Sequence, residues 1–303
     1  MGRIAAAGER VVLVTRTGRH AVLAYGLTYE GGDRFGQSFR TLVVPPLAMP
    51  AIGLTGGSYD TFGLVGAQFA VHLAVGPEGL IYVGVRYPEI SPRSLVRAHQ
   101  NTFGETLATD PDGLDSYVTR LSAGGVRLGT SVVKIPATGD ELEPHDELQS
   151  LHAVPGAVWL AGRTELWNPQ GTGHDVLLAR IDGGSGAVQS WRIDLDRGDI
   201  AFGVVPLDTT RFVIVGAQGY TQNPQGASVS EAATGFARVW SPTAGLGASL
   251  PVPSGPRHNQ TRLALPLAGG RLLLGGMIDG PGTHSADGDI GKLRADGYLV
   301  TGP

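Results

Sequence analysis

The feature that most constrains this chain is a strand that returns. "DSYVTRL" at 115–121 comes back as "DVLLARI" at 175–181, with the acid, the apolar pattern and the arginine in place. The basic position recurs as Arg120, Arg180, Arg238 and Lys292, at spacings of 60, 58 and 54 residues. Each copy sits in a short apolar strand ("YVTRL", "LLARI", "FARVW", "IGKL"), followed by a glycine-containing turn and another strand, which is a hairpin signal. A second hairpin precedes each: "FAVHLAVGPEGLIYVGV", "LQSLHAVPGAVWLAG", "FGVVPLDTTRFVIVG" and "RLALPLAGGRLLLGG". Their second strands are expected to end at Gly84, Gly162, Gly216 and Gly275 or Gly276.

Residues 2–44 fit the same template, so five units near 2–44, 69–134, 148–194, 200–250 and 261–300 account for the 303 residues as one domain. Four-strand units of roughly 40 to 60 residues, repeated radially, protect their sheet edges as the blades of a propeller. The expected fold is all-β: a five-bladed β-propeller with four antiparallel strands per blade. Beyond a short helical turn in "RSLVRAHQ", no segment carries apolar residues at the helical period. The 47 glycines and 20 prolines are scattered as in a turn-rich fold, without the biased tracts of a disordered chain.

Segments such as "GRLLLGGMIDGPGTHSADGDIGKLRADGYLV" resemble the bacterial delta-60-type repeats of secreted or surface proteins. The resemblance covers four blades well and rests on glycines and apolar alternation. It implies a propeller and an export route, and it supplies no catalytic residues.

A net charge of −4 argues against a nucleic-acid partner, which would favour a basic stripe. The absence of cysteine removes disulfides and thiolate sites. No run approaches the roughly 18 apolar residues of a membrane helix. The start "MGRIAAAGERVVLV" lacks a signal-peptide pattern. Extracellular or cell-surface placement after removal of a leader is the expectation, with the cytoplasm as the alternative.

With strands named A to D from the innermost outward, the A–B and C–D turns are short. Excess length falls on the B–C connections (86–114, 163–174, 217–234, 277–289) and the D–A connections (45–68, 135–147, 251–260), all on one face. Long loops on a rigid scaffold are the default binding site. "WNPQG" at 167–171 and "QNPQG" at 222–226 are a duplicated turn on the plain reading. On the functional one, Trp167, Tyr220, Tyr87 and Tyr59, with Asn168 and Asn223, present flat apolar surface beside amides to a glycan, peptide or protein partner.

Acid–base chemistry has its own candidates. His72 and His152 lie on A strands, where two imidazoles could share a metal or serve as a base, or simply fill the channel. Asp60, Glu147 and Asp199 stand just before A strands, where paired carboxylates would suit a hydrolase or lyase at the channel mouth. The acidic stretch "GDELEPHDEL" gathers Asp140, Glu141, Glu143, His145 and Asp146, either as a solvated run or as oxygen donors for calcium. Asp194, Asp196 and Asp199 repeat the D-x-D-x-x-D spacing of Asp110, Asp112 and Asp115, part of a calcium loop that lacks its later ligands. Asp115 and Asp175 read as turn caps before strand C. No nucleophile elbow, phosphate loop, dinucleotide fingerprint or H-E-x-x-H is present. The leading reading is a ligand-binding propeller, with a channel-mouth enzyme as the alternative.

Overall fold

In the computed structural model, the described residues are 3–7, 10–17, 21–32, 34–44, 71–86, 99–100, 106–107, 116–135, 142–168, 171–195, 198–219, 233–256, 258–280 and 296–302. They are strands and turns, with one short 3₁₀ turn at Ala268–Gly270. The first sheet is β1 (Arg3–Ala7), β2 (Arg10–Thr17), β3 (Ala21–Gly31) and β4 (Arg34–Val44), paired in chain order. Next come β5 (Val71–Val75) and β6 (Ile81–Arg86), a small hairpin β7 (His99–Gln100) and β8 (Thr106–Leu107), then β9 (Ser116–Leu121) and β10 (Arg127–Val133). The second sheet runs β5-β6-β9-β10. The third is β11 (Leu142–Val154), β12 (Ala157–Asn168), β13 (Gly171–Asp182) and β14 (Val188–Ile193). The fourth is β15 (Asp199–Pro206), β16 (Phe212–Gln218), β17 (Thr234–Ser241) and β18 (Gly245–Leu250), and the fifth is β19 (His258–Pro266), β20 (Leu272–Gly280) and β21 (Asp296–Gly302). The chain is thus all-β, with the five successive antiparallel sheets of a five-bladed β-propeller.

The described chain forms two compact units: Met1–Lys134 with Ala153–Val158 and Arg180–Gln189, and Ile135–His152 with Trp159–Ala179 and Ser190–Pro303. In the first, Val12, Val14, Ala24 and Val43 of sheet one pack with Ile81, Val83, Tyr117 and Leu121 of sheet two. The repeated arginine has a structural task here. Arg120, 6% exposed, donates from Nη1 to the carbonyls of Gly183 and Gly184 at 2.7 Å each. A guanidinium can bind two carbonyls at once and keeps its charge when buried, which suits it to this place.

In the second unit, Val205, Val213, Val215 and Ala237 pack with Ala264, Leu272 and Leu274 of the fifth sheet. The central β16 is buried along all but its last residue, while the outer β18 is largely exposed. Three glycines mark a common register. A Cβ on Gly162, Gly216 or Gly276 would stand 2.0 Å from the carbonyl of Glu147, Ile200 or Gln260 respectively, so only glycine fits. Gly276, rather than Gly275, is the repeat position. None of these glycines ends its strand, since β12, β16 and β20 run on to Asn168, Gln218 and Gly280.

One residue before each of those carbonyls, a polar side chain ties the incoming connection to the innermost strand. Asp146 Oδ2 accepts the Ile135 amide at 2.5 Å, and Asp199 Oδ2 accepts the Leu195 amide at 2.8 Å. Asn259 accepts the Gly255 amide and donates to the Gly255 carbonyl, both at 2.9 Å. Buried backbone groups need such partners where the ladder stops.

The fifth sheet departs from the expected repeat. The strand beside β20 is β21, with Gly276 opposite Tyr298 as Gly216 is opposite Phe236. Val300 therefore holds the place of Arg238, each facing its Leu274 or Ile214 partner. "IGKL" is not that strand, and Lys292 lies outside the described residues.

Candidate functional site at the seam of the third and fourth sheets

The third sheet corrects the loop assignment. The 163–174 connection is mostly strand: β12 continues to Asn168 and β13 begins at Gly171. Trp167 and Asn168 therefore lie on a strand rather than a loop, with side chains outside the described set. Tyr59, Asp60, Tyr87, Tyr220, Asn223, Asp140 and Glu141 fall outside the described residues altogether. The acidic stretch is likewise strand from Leu142 onward. Glu143 and His145 are on β11 with undescribed side chains, and Asp146 is fully buried as the tether above rather than part of a solvated loop.

His72 and His152 are not equivalent positions. His72, 7% exposed, pairs with Gly84, whereas the corresponding Gly162 lies against Glu147 and Leu148. His152 is half-buried further along β11, where burial lowers its pKa.

The remaining two candidates, Glu147 and Asp199, each sit among polar side chains, Glu147 with Arg163 on the third sheet and Asp199 with Asp175 and Asp194 where the third and fourth sheets supply the residues. Glu147 Oε2 receives Arg163 Nε at 2.7 Å and Nη2 at 2.5 Å. The Arg163 side chain is only 5% exposed and that of Glu147 18%, so the carboxylate is oriented from inside and open on one side. His174 on β13 interacts electrostatically with both. Burial, then the Arg163 charge, holds its pKa down at about 4 against the opposing pull of Glu147, so the ring is neutral near pH 7. Its Nδ1 is buried without a hydrogen-bond partner, as is the Thr164 hydroxyl on β12.

The set around Asp199 is acidic. Asp175 on β13, Asp194 after β14 and Asp199 at the start of β15 bring one carboxylate oxygen each within 4.8 Å of one another. Asp175 is not a turn cap: it is buried within β13 and takes a hydrogen bond from Arg192 Nε at 2.5 Å. Asp199 is fully buried, and burial raises its pKa to about 7, with Asp175 and Asp194 adding to the shift and the Leu195 and Gly219 amides opposing it. Its Oδ1 has no hydrogen-bond partner. Asp194 is exposed.

Sequence reasoning named Glu147, Asp194 and Asp199 but missed Arg163, Thr164, His174 and Arg192. A polar residue inside an otherwise apolar strand was the available signal for three of them, as in "LAGRTEL" and "TGHDVLL".

No family model and no curated protein sequence matches the chain. Among solved structures, it is similar to "GH43 Endo-Arabinanase from Bacillus licheniformis", at 13% identity over 74% of this chain and 74% of that one, with a TM-score of 0.27. A likeness of that size carries nothing about residues or chemistry in this chain.

Proposed function

We propose that this chain is a hydrolase acting on a glycan, with Glu147 as its anionic catalytic group. The observation that supports this best is the Glu147–Arg163 pair: a carboxylate fixed by two guanidinium contacts and still 18% open. Orientation by a buried partner is what a base or nucleophile needs before substrate arrives. As base, Glu147 takes a proton from the attacking water, whose oxygen bonds to the anomeric carbon as the glycosidic C–O bond breaks and the leaving oxygen takes up a proton from solvent water. The neutral His174, which the Glu147 charge acts on, keeps a buried ring nitrogen, Nδ1, without a hydrogen-bond partner. The reading carries with it the export route implied by the delta-60-type resemblance.

Hydrolysis of a panel of chromogenic glycosides by wild type and Glu147→Gln tests it. Gln keeps an acceptor for Arg163, so the variant should fold and lose at least a hundredfold in kcat, the upper range for general-base catalysis being about 10⁴. Wild-type turnover in the variant would sink the assignment. Undiminished glycan binding without turnover by either protein would favour the second reading, a ligand-binding propeller with Trp167, Tyr220, Tyr87 and Tyr59 as contacts.

A further inference from the structure

We propose that Asp175, Asp194 and Asp199 form a binding site for a divalent cation of the calcium class. The proposal does not rest on the hydrolase reading and holds equally for a propeller that only binds.

The geometry fits such an ion. Calcium–oxygen distances of about 2.3–2.6 Å place donors on opposite sides of the ion at most about 5 Å apart. The three carboxylates offer oxygens all within 4.8 Å of one another. They arrive from separate places, the interior of β13, the segment after β14 and the first residue of β15, so the strand pairing itself assembles the set. The donors are hard oxygens, without an imidazole in the group, which favours calcium over zinc. The three carboxylates offer one oxygen each, and calcium completes six to eight oxygens in irregular geometry with water, whereas magnesium demands a near-ideal octahedron.

The second observation is a buried carboxylate oxygen that makes no hydrogen bond of ordinary geometry, although the Leu195 and Gly219 amides face the carboxylate. Asp199 is fully buried; Oδ2 holds the Leu195 amide and Oδ1 has no hydrogen-bond partner. Asn259, at the same register in the fifth sheet, does the equivalent backbone task as an amide. A carboxylate is therefore not required for the tether. A buried acid beside two further acids raises the cost of that place in the fold unless a cation relieves it. Arg192 offsets one of the charges through Asp175. The exposed Asp194 leaves a way in from solvent.

The test uses the full chain, stripped with chelator and then titrated with Ca²⁺ or Mg²⁺, by thermal melting and by isothermal calorimetry. Ca²⁺ should bind saturably and raise the melting midpoint by several degrees at a hundred times its Kd, with Mg²⁺ weaker by tenfold or more. Asp194→Asn, exposed and therefore safe for folding, should weaken Ca²⁺ binding at least tenfold, and Asp199→Asn should do the same while keeping the Leu195 tether. Absence of calorimetric Ca²⁺ binding at millimolar concentration would overturn the proposal. So would an unchanged Ca²⁺ response in both variants, since the ion would then sit elsewhere, or a preference for Mg²⁺.

Discussion

The two ends of the fourth sheet, where it meets the third, differ sharply. Its first two strands run in register from Asp199 opposite Gln218 to Pro206 opposite Phe212. At the Phe212 end, Trp159 of the third sheet packs at 4.1 Å from Phe212 between ring centroids, and stacks on Trp191 at 5.5 Å with 21° between planes. Trp240 meets Trp191 edge-on at 5.2 Å. At the Asp199 end stand carboxylates, a guanidinium on Asp175 and an unpartnered oxygen. Aromatic rings need only burial and a favourable angle, so every contact at the first end stabilises the fold. Buried acids need protons, cations or hydrogen bonds, so the second end costs stability. Sites where a fold tolerates such a cost are the usual places of function.

Five substitutions would break or sharpen that contrast. Trp159→Ala should cost the most, about 3–5 kcal/mol in denaturant unfolding, from lost burial and a cavity. A loss below about 1 kcal/mol would mean that the aromatic end is not a core. Arg163→Met should cost about 3 kcal/mol, because it leaves the Glu147 carboxylate without its buried partner. Adding Glu147→Gln should recover part of that loss, and a strictly additive double mutant would contradict the pairing. Gly216→Ala, whose Cβ meets backbone, should destabilise by about 1–3 kcal/mol. Gly203→Ala should cost less, since its Cβ would meet only the end of the Val215 side chain, at 3.1 Å. Equal losses would remove the close approach as the reason for the repeated glycine.

The smallest effect lies outside the seam. Tyr82 is fully buried, and burial first, then the Glu78 charge, raises its pKa to about 12 from 10. The neutral phenol is favoured in the folded state, so its contribution is complete below pH 10 and lost as pH rises through 12. Tyr82→Phe should flatten the alkaline limb of melting temperature against pH, and an unchanged limb would place the titration elsewhere.

Much of this could be read without coordinates. Apolar alternation and glycine turns are local signals of period two, and they located the hairpins of the first four sheets and the first hairpin of the fifth. The glycine of strand B was visible as a repeat, though only the 2.0 Å approach of the neighbouring carbonyl explains it and selects Gly276 over Gly275. The same local reasoning mistook 163–174 for a loop. Asn-Pro and glycine signal a turn wherever they occur, and do not say how far the strands on either side extend. It also took "IGKL" for a repeat strand, because composition cannot tell which of two apolar segments pairs with β20.

What sequence alone determined is the class of fold, since a four-strand unit with this alternation has few other ways to bury its apolar faces. What tertiary structure decided is which polar residues meet. Asp175 was a turn cap and Asp194 part of an incomplete calcium loop until strand pairing brought their oxygens within 4.8 Å of Asp199. Likewise, Arg163 acquired significance only once β11 lay beside β12 and offered Glu147. Side-chain convergence across strands depends on register and on which sheets are neighbours, and neither is written in any one segment of the chain.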